Sequence, residues 1–82
     1  MSKVINQDIS IGHNLKALRL RANLSQEEVA TKLQVLGIST MSREIISQME
    51  LGRHNIRVTV LLALKEVYKV DSFDEFFEDI SL

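Results

Sequence analysis

Two short stretches hold the side chains of this chain best placed to do chemistry, Leu24-Ser-Gln-Glu-Glu-Val-Ala30 and Met41-Ser-Arg-Glu-Ile-Ile-Ser-Gln-Met-Glu-Leu-Gly52. In the second, Arg43, Glu44, Ile45 and Gln48 follow Ser42, a helix-capping residue, and positions 44 and 48 fall on one helical face with 45 beside 48. A guanidinium can grip guanine O6 and N7 with two hydrogen bonds, and a carboxamide can read adenine. A carboxylate can accept from cytosine N4, and an aliphatic side chain can touch a thymine methyl. These side chains offer the hydrogen bonds and the apolar contact that base edges can take. No glycine-rich phosphate loop, Ser/His/Asp set or paired-carboxylate pocket can be assembled, so an enzyme is not expected. His13 and His54 have no partners at ligand spacing, so no metal and no cofactor is expected either. The acidic run Asp74, Glu75, Glu78 and Asp79 reads as a solvated face.

Such side chains need a rigid support, and the composition allows one. Eighty-two residues, 45% of them hydrophobic, suffice for one small core. Proline is absent and glycine occurs three times, which favours helices over a turn-rich β fold. The lack of cysteine excludes disulfides and thiolate metal sites and points to the reducing cytoplasm. Neither a secretory leader nor an eighteen-residue apolar run is present, so no membrane role is expected.

The net charge of −1 argues against a polyanion partner, but its distribution does not. Residues 1–57 carry eight basic against five acidic side chains, a balance of +3, whereas residues 58–82 carry two against six, a balance of −4. A basic front and an acidic back would orient the molecule on nucleic acid.

Hydrophobic spacing sets out the supporting elements. Residues 1–9 show no sustained period and read as a flexible N-terminal arm; residues 10–82 read as a single domain. Ile11, Leu15, Leu18 and Ala22 make one helical face, with Asp8 or Ser10 as cap and Asn23 as left-handed stop. Ser25 with Glu28 is a capping box for a second helix from Gln26, with Val29, Ala30, Leu33 and either Val35 or Leu36 inward and Gly37 as stop. Ser42 caps a third helix, Arg43 to Leu51, with Ile46 and Met49 inward and Gly52 beyond its end. A polar loop, residues 53–57, leads to a fourth helix capped by Thr59, with Val60 or Leu61, Leu64, Val67 and Tyr68 inward. Ser72 with Glu75 starts a fifth, short helix in which Phe73 and Phe77 are expected in the core. Phe76, Ile80 and Leu82 are then left as an apolar dimer patch. No strand pattern is evident, so an all-α bundle of five helices is expected.

Leu18-Arg19, Leu24-Ser-Gln-Glu-Glu-Val-Ala30, Ile46-Ser-Gln-Met-Glu50 with Gly52, and Leu61-Leu-Ala-Leu64 leading to Val70 together resemble the Cro-type, lambda-repressor-like (Xre-like) helix-turn-helix family. The resemblance runs from about Ile11 to Phe77. It implies a five-helix bundle in which the third helix enters a DNA major groove while the second crosses the backbone. Carried over residue by residue, it makes Arg43, Glu44, Ile45 and Gln48 base contacts. It makes Gln26, Ser42, Arg53, Asn55 and Arg57 phosphate contacts, and Arg19 with Glu50 an internal ion pair. The step from Ala30 to Glu50 is longer than the family usually has. Either the second helix is extended or its connection to the third is enlarged, and either choice could re-aim the third helix or bring Ser39 and Thr40 to a phosphate.

The function implied is sequence-specific binding of double-stranded DNA by a small prokaryotic or phage transcriptional regulator. It would act as a homodimer on half-sites about 34 Å apart. The alternative is a protein-interaction module, such as an antitoxin or regulatory subunit, that keeps the helix-turn-helix fold.

Overall fold

A computed structural model describes residues 10–79 and the backbone of residues 4–5. Four α-helices follow one another: α1 Gly12–Arg21, α2 Gln26–Val35, α3 Arg43–Glu50 and α4 Val58–Val67. A short 3-10 helix, Phe73–Phe77, stands where a fifth α-helix was expected. A two-stranded antiparallel ladder, β1 Val4–Ile5 against β2 Ile56–Arg57, corrects the strand-free expectation. Its register sets Val4 opposite Arg57 and Ile5 opposite Ile56. Asp8, Ile80 and Leu82 lie outside the described residues. Among the described residues no helix is long and apolar enough to cross a membrane.

Local chemistry accounts for the helix ends. Ser25 Oγ accepts from the Glu28 N–H at 3.0 Å, and the Glu28 carboxylate accepts from the Ser25 N–H at 2.9 Å. These reciprocal bonds satisfy two donors that a helix start leaves unpaired. Ser42 caps α3 in the simpler way, its hydroxyl accepting from the Ile45 N–H at 3.2 Å. All four helices stop alike, at a residue of positive φ: Asn23, Gly37, Gly52 and Lys69. In each case the next N–H reaches back to a carbonyl in the last turn, as in Leu24 to Arg19 and Ile38 to Leu33. Two starts differ from expectation. The α1 cap position is Ile11, with Ser10 Oγ accepting from Gly12 N at 3.1 Å. The α4 cap position is Arg57, so Thr59 lies inside the first turn.

The core is one cluster drawn from every helix. Leu15 and Leu18 come from α1, Val29 and Leu33 from α2, and Ile46 and Met49 from α3; α4 adds Val60, Leu61 and Leu64. Both Val60 and Leu61 are buried, so neither was the sole choice. Val35 and Leu36 were set inward as alternatives, yet they are 81% and 45% exposed, because α2 ends before its face returns to the core. Helix α3 packs between α2 and α1, and α4 closes over α2. At the α1–α3 crossing a Cβ on Gly12 would collide with the Glu50 carbonyl oxygen and stand 2.7 Å from that of Met49. Only glycine fits where the two backbones come this close.

The aromatic tail reverses the expected assignment. Phe76 is fully buried, whereas Phe73 and Phe77 are 37% and 41% exposed. A 3-10 helix has three residues per turn, so positions 73 and 76 stack on one side where an α-helix would align 73 with 77. The Phe73 and Phe76 ring centroids are 6.2 Å apart, and the Lys65 ammonium sits 5.5 Å above the Phe73 ring. Asn14 fixes this turn by donating from Nδ2 to the carbonyls of Phe76 and Glu78, both at 2.9 Å. Phe76 is therefore a core residue and takes no part in a surface patch.

Candidate nucleic-acid interface

The α1–α3 contact carries a buried polar knot. The Arg19 guanidinium donates from Nε to Glu50 Oε2 at 2.7 Å and from Nη2 to Glu50 Oε1 at 3.1 Å. Its Nη1 donates to the Leu24 carbonyl at 2.9 Å. The two side chains are 9% and 5% exposed. The hydrogen bond to Glu50 raises the Arg19 pKa above its ordinary value despite burial, so the cation is secure. Tyr68, beside this pair, has its phenol pushed up first by burial and then by the Glu50 charge. Gln26 Nε2 joins the knot by donating to Glu50 Oε1 at 3.1 Å. The first residue of α2 is thus tied to the last residue of α3, which fixes how the two helices cross.

With α3 so held, its outer face can be read directly. Arg43, Glu44, Gln48 and Leu51 are exposed, and Ser47 is half-buried between them. At about 100° per residue, Arg43, Ser47 and Leu51 form one ridge and Glu44 with Gln48 the next. Arg43 and Glu44 lie 3.9 Å apart at side-chain exposures of 62% and 73%, a solvated contact that leaves both free to turn outward. Ile45 points elsewhere: it is half-buried and packs against the core, so only part of its surface borders the exposed ridge. Ser42 spends its hydroxyl on the α3 cap.

The extra residues between Ala30 and Glu50 belong to the connection, since α2 keeps ten residues and ends at Val35. Residues 36–42 form this connection, and it is anchored rather than loose. Met41 is buried, Ile38 packs on the core, and Gln34 Nε2 donates to the Met41 carbonyl at 2.8 Å. Between this connection, the loop after α3 and the start of α4 opens a cleft of about 560 Å³. Its floor includes Met41, Ile45, Met49 and Val60, and its rim includes Ser39, Thr40, His54, Asn55, Arg57 and Thr59. His54 Nδ1–H donates to the Asn55 carbonyl at 2.7 Å. Arg53, Asn55 and Arg57 are all exposed, and the ladder with β1 holds the backbone of Arg57 in place.

Of the residues expected at the site, the fold brings Arg43, Glu44 and Gln48 together on one exposed surface, flanked by Gln26 on one side and the loop 53–57 on the other. Ser47 and Leu51 share that surface and were missed. Both were legible from helical spacing alone, since each continues the row begun by Arg43. The cleft could not be read from spacing, because its walls come from three separate segments.

Two neighbouring helices joined by a turn, the second presenting polar side chains from its first turn, are the parts of a helix-turn-helix. Residues 10–75 match the helix-turn-helix domain family. No curated protein and no solved structure matches the chain. The match takes in all four α-helices, both polar stretches and the connection between them, and so the chain belongs to the helix-turn-helix domain family.

Proposed function

We propose that this protein is a sequence-specific binder of double-stranded DNA, a small cytoplasmic transcriptional regulator of prokaryotic or phage type that works as a homodimer. The observation that carries the reading is the α3 surface. Arg43, Glu44 and Gln48 stand exposed on a helix whose angle is set by the Arg19–Glu50–Gln26 knot. Helix α3 lies in the major groove, where Arg43, Glu44 and Gln48 meet base edges and the exposed part of Ile45 borders a thymine methyl. Gln26 keeps one amide hydrogen for a phosphate oxygen while the other is held by Glu50. Ser42 sits at the phosphate-facing start of α3, and Arg53, Asn55 and Arg57 meet the backbone beyond its end. The exposed rings of Phe73 and Phe77 support a dimer contact.

The test is selection of duplexes from a random pool, followed by fluorescence anisotropy across a salt series. Binding is expected to weaken with salt by a log–log slope of about −0.9 per phosphate neutralised by an arginine or lysine. Arg43→Ala is expected to relax preference at one base-pair position, a discrimination of about 1–3 kcal/mol. Arg53→Glu with Arg57→Glu should weaken binding to all sequences. Absence of salt-sensitive binding to any duplex would refute the proposal.

A further inference from the structure

The cleft beside α3 has walls whose chemistry the base-reading face does not explain. On one wall stand Ser39 and Thr40, from the enlarged connection; on the other stand Asn55 and Arg57. All four are exposed. The side chains of these four and the backbone N–H groups of Ser39 and Thr40 have no hydrogen-bond partner among the described residues. Arg57 brings a positive charge to the rim, and among the described residues no carboxylate lines the cleft. The rim is thus an array of donors around one cation, above a partly apolar floor.

Its position relative to α3 gives the array a use. Counting about 100° per residue from Arg43, the exposed arc of α3 runs through Ser47, Leu51 and Glu44 to Gln48. Glu50, and with it Gln26, borders this arc on one side; Ile45, which lines the cleft, borders it on the other. A helix in a major groove about 12 Å wide has a sugar-phosphate strand along each flank. Gln26 lies toward one strand and the cleft toward the second.

We propose that the cleft is a phosphate clamp for this second strand, with Ser39 and Thr40 closing on a phosphodiester from one side and Asn55 and Arg57 from the other. This rests on the DNA-binding reading and adds to it a role for the enlarged connection. Hydroxyl and backbone N–H donors around a cation suit a non-bridging phosphate oxygen. A cleft of about 560 Å³ also has room for an adjoining deoxyribose over Met41 and Ile45. The anchoring of Met41 by Gln34 holds the Ser39–Thr40 wall open before DNA arrives.

The experiment uses the full chain and a duplex selected from a random pool. Wild type, Ser39→Ala with Thr40→Ala, and Arg57→Gln are compared by anisotropy across a salt series. Neutral methylphosphonates are then placed one by one along each strand. The double alanine variant is expected to bind about tenfold more weakly on every sequence with its salt slope unchanged, because hydroxyls displace no counterion. Arg57→Gln is expected to lower the slope by about 1. One methylphosphonate position should weaken wild type more than the double variant and should cause no further fall in the salt slope of Arg57→Gln, which identifies the clamped phosphate. Thermal melting should leave the double variant at wild-type stability, since both side chains are exposed. Salt-sensitive wild-type binding with an unaffected double variant would overturn the clamp alone. So would a loss confined to particular base pairs, since the connection would then be aiming α3. Wild type that binds no duplex would overturn both the clamp and the DNA-binding reading.

Discussion

Replacing Glu50 by glutamine tests whether the knot under α3 holds the recognition face in position. Arg19 would keep its charge at 9% side-chain exposure while its bidentate acceptor, at 2.7 and 3.1 Å, became neutral. Stranding a buried charge costs about 3–5 kcal/mol, and glutamine still offers one carbonyl oxygen, so about 3 kcal/mol is expected. For a domain of this size each kcal/mol is worth about 4–8 °C, which gives a fall in Tm of roughly 12 °C or more. Arg19→Met should cost a similar amount by leaving the Glu50 carboxylate short of its charged partner. The double replacement Arg19→Met with Glu50→Leu removes both charges together and should return to within about 1 kcal/mol of wild type. Urea unfolding and thermal melts of wild type, Arg19→Met, Glu50→Leu and the double variant close the cycle and yield the coupling energy. DNA affinity should not recover in the double variant, because Gln26 loses the acceptor that orients it. Single variants within about 4 °C of wild type, or a double variant worse than either single, would refute a buried and mutually dependent pair.

Gly12→Ala should destabilise the domain by about 1–3 kcal/mol in urea, since the new methyl meets backbone rather than a movable side chain. A variant as stable as wild type would place the α1–α3 crossing wrongly. Phe76→Ala should cost about 3–5 kcal/mol and Phe77→Ala about 1 kcal/mol, so melting the two side by side checks which ring fills the core. Glu28 and Glu75 should both titrate below the free glutamate value of about 4.3 in an NMR pH series. The Ser25 backbone N–H lowers Glu28, and the Arg21 guanidinium at 2.8 Å lowers Glu75 ahead of the Asp71 N–H. Their stabilising contribution is present above that unfolded value and is lost as pH falls through the lower folded one. Arg21→Gln should raise the Glu75 pKa and leave Glu28 alone; equal movement of both would sink the assignment.

What the chain encodes locally was readable from its letters. Ser25, Glu28 and Ser42 cap helices through bonds three residues long, and Asn23, Gly37 and Gly52 end them through their own tolerance of positive φ. Inner faces such as Leu15 with Leu18, Val29 with Leu33, and Ile46 with Met49 follow from helical periodicity. The exposed row of α3 follows from the same spacing, once Ser47 and Leu51 are counted with it. Packing between distant segments decided the rest. Phe76 rather than Phe77 is buried because the last turn tightens to 3-10 geometry against α1, where Asn14 holds its carbonyls. The β1–β2 ladder joins residues some fifty positions apart whose sequences carry no alternation to announce it. Gly12 is needed only because another helix crosses there, and the cleft exists only where three segments converge. Hydrogen bonds within one turn are written into neighbouring residues, whereas burial and close approach depend on what the rest of the chain brings alongside.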